Sequence, residues 1–185
     1  MDFNDIIRHR RAVSPASFNE KKVSRAQLMT ILEHANFAPT HKRSQPWRFK
    51  IFEGESRQQL ANFLSETYLA NTAEAEISEI KLKKMRENPL RASVAIAICM
   101  SPNPTLPEWE EVAAVAMAVQ NMWLTCQKLG INGFWSTPKL AEYAGDFLNL
   151  GEQEKCLGFF YIGFSDVPPA LPTRKPIEDL IEWKM

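Results

Sequence analysis

The chain has no charge of one sign to spare: Lys plus Arg and Asp plus Glu number 22 each, for a formal net charge of zero. That excludes a surface built as a whole to hold nucleic acid or an anionic membrane, so any anion site has to be a local cluster. Cysteine is scarce too. Cys99, Cys126 and Cys156 are odd in number, far apart and set in apolar runs, which reads as buried free thiols in a reducing compartment, not a disulfide framework or a metal cage. No HExxH, CxxC pair, GxSxG or GxxxxGK[ST] occurs, and no GxGxxG follows the first strand, which removes the signatures of metalloprotease, thiol-redox, esterase, P-loop and Rossmann chemistry. There are no internal repeats and no low-complexity segment. The start, MDFNDIIRHRRA, lacks the apolar core of a signal peptide, and the expectation is a cytoplasmic protein. Acid–base or nucleophilic side-chain chemistry has little support, and a bound cofactor doing the work fits better.

What is present is organised around one stretch, Glu110 to Thr137. Between Val112 and Gln127 there is no charge, so a helix from about Glu110 to Leu129 should be buried nearly all round. Its roughly 30 Å length matches the diameter of a small domain, and a dimer interface is the natural cover for what one chain leaves bare. A bilayer span is rejected, because the apolar residues are mostly Ala and Gln120, Asn121 and Thr125 interrupt them. Gly130 stops the helix, Ile131 to Trp135 reads as a turn into a short strand, and Thr137 is expected to cap a further helix with Pro138 at its first position.

The 185 residues suit one domain with a single core, spanning 1–185. Asp2 is a candidate N-cap for a short helix ending in Arg8-His9-Arg10-Arg11. Those cations complement a helix dipole, and equally offer bidentate donors to a phosphate or carboxylate. Ser24 to Gln27 is a capping box opening a helix to about Phe37. The loop after it, APTHKRSQPW, is rich in donors, although His41 taken alone reads as a solvated loop histidine. Trp47, Phe49 and Ile51 mark a strand with one buried face. Two surface helices fill Ser56 to Asn88, a solvated face or a lid, and Pro89 should close them. The apolar runs Ala92 to Met100 and Cys156 to Phe164 read as central strands, with Gly163 marking a close approach and a short helix over Leu140 to Phe147 before the second. Tail residues Ile177, Leu180, Ile181 and Trp183 are apolar enough to need a surface to lie on.

Four blocks, IRHRRA (7–12), APTHKRSQPW (38–47), 109–137 and FFYIGFSDVPPALPTRKPIED (159–179), together resemble the nitroreductase family of FMN-dependent NAD(P)H oxidoreductases, in its small single-domain bacterial branch. The resemblance implies an α+β three-layer nitroreductase-like fold: a mostly antiparallel central sheet of four or five strands flanked by helices, in an intertwined homodimer with FMN at the interface. It places Arg10, Arg11 and the backbone at Ala12 against the FMN phosphate and polar tail, Trp135, Ser136 and Thr137 near the phosphate and ribityl chain, and Arg174 as a late phosphate-binding arginine. His41 and Phe37 would act on the flavin of the partner subunit. The turn from Gly130 to Gly133 resembles the family loop whose backbone amide faces the flavin, and Trp109 would line the pocket over it. The implied activity is hydride transfer from NADH or NADPH through FMN to a nitroaromatic, quinone or similar small acceptor, without nucleic acid or membrane and without a catalytic side chain or metal. A flavin carrier or redox sensor, or a flavin enzyme specialised for dehalogenation, desaturation or flavin fragmentation, are the alternatives. The chain departs from the family pattern at Ala12, where Ser is usual, and at Arg43, where many relatives have Asn and where a cation points to an anionic substrate or the NADP phosphate.

Overall fold

The computed structural model describes residues 2–184. Six α-helices, α1 (Phe3–His9), α2 (Arg25–Ala35), α3 (Ser56–Ala70), α4 (Glu79–Arg91), α5 (Glu108–Lys128) and α6 (Gly145–Leu148), surround four strands, β1 (Trp47–Phe52), β2 (Val94–Met100), β3 (Asn132–Ser136) and β4 (Lys155–Gly163). The sheet order is β1-β2-β4-β3 and every pairing between strands is antiparallel.

β2 is buried throughout, and its alternation separates two halves of the core. Val94, Ile96, Ile98 and Met100 face α2 and α5, joined by Leu28, Ile31, Val115, Val119 and Met122. Ala95, Ala97 and Cys99 face the other way, toward Leu60 and Leu64 of α3 and Phe159 and Tyr161 of β4. Small side chains on that face leave room for the aromatic rings. α4 packs outside α3, where Tyr68, Leu82 and Leu140 form a minor cluster. The layers are therefore helix, sheet, helix, as the three-layer α+β reading expects.

Local signals explain the helix starts. The Asp2 side chain accepts from Asp5 N and the Asp5 side chain accepts from Asp2 N, and Ser24 with Gln27 makes the same reciprocal pair for α2. Pro89 does not end α4: it sits in the last turn, where its missing N–H removes one hydrogen bond, and its buried ring stays in place while the helix runs on to Arg91. Thr137 makes no cap. A 3-10 turn over Lys139–Tyr143 follows Pro138, and only the single turn of α6 is α-helical, so the expected helix over Leu140 to Phe147 is two short pieces. Gly163 is approached by the ring of Phe18, whose Cδ2 would lie 2.6 Å from a Cβ there.

α5 is buried on one stripe only. Glu111, Ala114, Val115, Ala118, Val119, Met122, Thr125 and Cys126 recur at helical spacing, but Trp109 is 70% exposed and Val112 and Met117 are exposed beside it. α2 and the sheet cover the buried stripe, while Trp109, Val112 and Met117 on the opposite side stay open. Leu171, Ile177, Leu180, Ile181 and Trp183 of the tail are likewise exposed.

Candidate cofactor site

Arg10 caps α1 at its C-terminus, and the chain then runs along the free side of β3. Ala12 forms a parallel bridge with Gly133, and Val13 N donates to Gly133 O at 3.0 Å. This contact needs glycine for a packing reason, because a Cβ at Gly133 would stand 2.6 Å from Phe160 Cζ and 3.0 Å from Trp123 Nε1. Trp123 of α5 fixes the segment from the other side. Its Nε1 donates to Arg11 O at 3.2 Å, and the Arg10 guanidinium lies over its ring with Cζ 4.6 Å from the centroid. Arg11 Nη1 donates to Arg10 O at 2.6 Å.

Arg10, Arg11, Ala12 and Trp123 line a cleft of about 800 Å³ together with Ser14, Gln120, the tail segment Val167 to Ala170, and Arg174. Its size falls within the roughly 300–1,000 Å³ usual for small-molecule sites. Three guanidinium groups thus converge from two distant segments. Burial, then the positive charges of Arg11 and Arg174, hold the Arg10 pKa below the ordinary arginine range. Among the described residues no carboxylate lies within ion-pair distance of these three arginines. An uncompensated cation cluster in a neutral protein is a site for an anion with several acceptor oxygens.

Among the described residues, two buried donors have no hydrogen-bond partner, Arg11 Nε and Trp135 Nε1. Leaving each unsatisfied costs about 1–3 kcal/mol, which a bound acceptor would recover. Trp135 shares a face of β3 with Gly133, two residues away, and packs on the α2–α5 side of the core. Ser136 pairs with Phe159 and Thr137 is exposed, and neither they nor Trp135 lines the arginine cleft.

His41 and Phe37 lie elsewhere. His41 Nδ1 pairs with Glu110 of α5, and Ser44 Oγ donates to the buried Glu111 carboxylate at 2.6 Å, which also accepts from Asn103 N at 2.9 Å. Two adjacent glutamates of α5 therefore clamp a loop in which Lys42, Arg43 and Gln45 all take left-handed φ values of 48°, 58° and 45°. Such angles are unfavourable for these residue types and persist where surrounding contacts dictate them. His41, Trp109, Ala113 and Met117 share a shallow depression of about 270 Å³ on the exposed stripe of α5, and Phe37 is 81% exposed. Glu110 and Trp123 are thirteen positions apart along α5, or about 20 Å. In one chain the expected site residues are thus divided between the two ends of that helix.

Sequence reasoning missed Trp123. An indole between Met122 and Leu124 was its only trace, and its partner Arg10 is remote in the chain. Among the described residues there is no grouping of three or more His, Cys, Asp or Glu side chains able to hold a metal ion, and no helix is long and apolar enough to cross a membrane.

A profile of the nitroreductase family matches residues 7–164. The Escherichia coli K12 protein named "Putative NAD(P)H nitroreductase YdjA" is 30% identical over 180 residues, covering 95% of each chain. Among solved structures, a nitroreductase-like family protein from Bacillus cereus superposes with a TM-score of 0.86 at 26% identity, over 100% of this chain and 96% of its own. The FMN and NADPH-dependent nitroreductase NfnB from Sphigopyxis sp. strain HMH shares the fold with a TM-score of 0.82 at 17% identity, covering 100% of both chains.

Proposed function

This chain belongs to the nitroreductase family, and on that premise we propose that it is an FMN-dependent oxidoreductase using NADH or NADPH to reduce a small electron acceptor such as a nitroaromatic or quinone. The observation that carries the reading is the cluster of Arg10, Arg11 and Arg174 around one cleft, with no carboxylate in ion-pair distance among the described residues, beside the orphaned Nε of Arg11. A phosphate monoester fits that donor set: it is dianionic near neutral pH and has oxygens for three guanidinium groups.

FMN held there would supply the two-electron redox chemistry that links a nicotinamide to the second substrate. The chain's own residues bind and orient. Arg10 and Arg11 grip the phosphate while the Trp123 ring and the Gly133 carbonyl hold their segment in place. Ala12 offers backbone only, one hydroxyl fewer than a serine would. Arg174 closes the cleft from the tail. No side chain is assigned as acid or base, and protons come from water.

Two copies complete the site. The bare stripe of Trp109, Val112 and Met117 is the face on which a second α5 packs about a two-fold axis, an isologous contact. Antiparallel crossing brings the end that carries His41, Phe37 and Trp109 in one subunit to the end that carries Trp123 and the arginines in the other. That reunites the residues that one chain keeps about 20 Å apart. The apolar tail covers further surface of the partner. Free thiols and the lack of a membrane-spanning helix among the described residues fit a cytoplasmic setting.

Anaerobic mixing of the flavin-loaded protein with NADH and with NADPH tests the activity. Bleaching of the flavin absorbance, followed by reoxidation on adding nitroaromatic or quinone in a separate step, is expected, with parallel-line steady-state kinetics. A flavin that stays oxidised with both nicotinamides overturns the proposal.

A further inference from the structure

Cys99 and Cys156 are remote in the chain and stand opposite one another in the β2–β4 ladder. Strand alternation alone would not put their side chains together. Phe159 pairs with Ala97 and packs on the α3 face, so Cys156, three residues earlier, would point to the other face. The ladder corrects this with a bulge: the two steps from Ala97 to Cys99 stand against three from Phe159 to Cys156. The extra residue is taken up beside Gly158, whose φ is +116° and where a Cβ would come within 2.3 Å of Ser136 O. Parity is restored, and both cysteines pack in the same cluster under α3.

Residues directly opposed in an antiparallel pair have Cα atoms about 4.5–5.5 Å apart, within the roughly 4.4–6.8 Å that a disulfide spans. The Cys156 Sγ donates to Gly158 O at 3.6 Å, which fixes that side chain at the bulge opposite Cys99. They differ in access. Cys99 is fully buried, while Cys156 is half-buried and lines a cavity of about 510 Å³ whose wall includes Glu154 and Lys155. The neighbouring Cys99 thiol, with Gly158 O, holds the Cys156 thiol below its ordinary range against the opposing effect of burial, while Cys156 and burial raise Cys99. Cys126 is sealed in the other half of the core, where burial raises its thiol.

We propose that Cys156 is a peroxide-reactive thiol and Cys99 its resolving partner, so that the sheet carries a reversible intramolecular disulfide. The Cys156 thiolate attacks the peroxide O–O bond, the S–O bond forms, and the departing alkoxide or hydroxide leaves as alcohol or water after taking a proton. The Cys99 thiol then attacks the Cys156 sulfenic acid. The S–S bond forms, the S–O bond breaks and water leaves, so the two thiols lose two electrons to the peroxide. An external dithiol returns the pair by exchange, becoming a disulfide itself. The site lies across the sheet from the arginine cleft and needs no flavin.

Treating the full-length protein with hydrogen peroxide, quenching, and counting thiols after unfolding tests this. The expected result is loss of two of the three thiols, a product two hydrogens lighter, a Cys99–Cys156 linked peptide, and recovery of all three thiols with dithiothreitol. Cys99→Ser should accumulate a sulfenic acid at Cys156 that dimedone traps, Cys156→Ser should keep both remaining thiols, and Cys126→Ser should oxidise like the unmodified protein. Three intact thiols after peroxide, a Cys156 that proceeds to sulfinic acid while Cys99 stays free, or a bridge between two copies would each overturn the proposal.

Discussion

Replacing Arg10 with methionine separates the structural from the ligand-binding role of that guanidinium. In the flavin-free protein its contact with Trp123 contributes about 0.5–1 kcal/mol, and the methionine stem keeps apolar cover on the ring. Its own burial, then the charges of Arg11 and Arg174, oppose this and hold the Arg10 pKa down. Losing one contact and one repulsion together leaves the melting temperature within about 2–4 °C, the shift that ~1 kcal/mol makes in a chain of this size. A charge-assisted hydrogen bond to a phosphate is worth about 1.5–3 kcal/mol. At about 1.4 kcal/mol per decade, the Kd for FMN should therefore rise roughly ten- to hundredfold. Titrating deflavinated protein by flavin fluorescence measures it, with riboflavin as the control that lacks the phosphate. Added salt should narrow the gap between the variant and the unmodified protein. Equal losses for FMN and riboflavin, or no loss for either, would refute the assignment of Arg10 to the phosphate.

Gly133→Ala drives a methyl group against Phe160 and Trp123, and overpacking of this kind costs about 1–3 kcal/mol; thermal melts should fall by several degrees and FMN binding should weaken as the Arg10–Arg11 segment shifts. Met117→Glu puts a charge in the bare stripe of α5, and sedimentation should find monomers with poor flavin retention; a stable flavin-loaded dimer would contradict the packing argued for that helix. Trp109→Ala should change the range of acceptors reduced more than it changes FMN retention, measured by turnover with a panel of nitroaromatics and quinones. At Glu154 the hydrogen bond from Gly151 N, at 3.0 Å, holds the carboxyl below its usual range. Its contribution is complete above the unfolded carboxylate pKa and is lost as pH falls through the lower folded value. Glu154→Gln should lower the melting temperature at neutral pH and leave it unchanged below the folded carboxyl pKa, so that the profile falls less steeply toward acid.

The parts of this fold written locally were legible in the chain. Asp2 with Asp5 and Ser24 with Gln27 announce their helices within one turn, and the all-apolar run of β2 declares a strand covered on both faces. What failed depended on neighbours. Thr137 and Pro138 look like a helix start, but the next residues are drawn into a 3-10 turn with Leu140 and Ala141 buried against α3 and the sheet. The uniform apolarity of α5 hid the fact that only one stripe is buried by its own chain. Arg10 and Arg11 left two readings open, and it took the tail's Arg174 in the same cleft, with no carboxylate in ion-pair distance among the described residues, to favour an anion over the helix dipole. The bulge at Gly158 has no periodic signature, so the meeting of Cys99 and Cys156 could not be read before the ladder was known.

Native mass spectrometry of freshly purified protein tests the central claim most directly, because it reads subunit count and flavin load together. The expected species is a dimer carrying two FMN, which falls to a flavin-poor form when Arg10 and Arg174 are both replaced. A monomer that takes up no added FMN would contradict it.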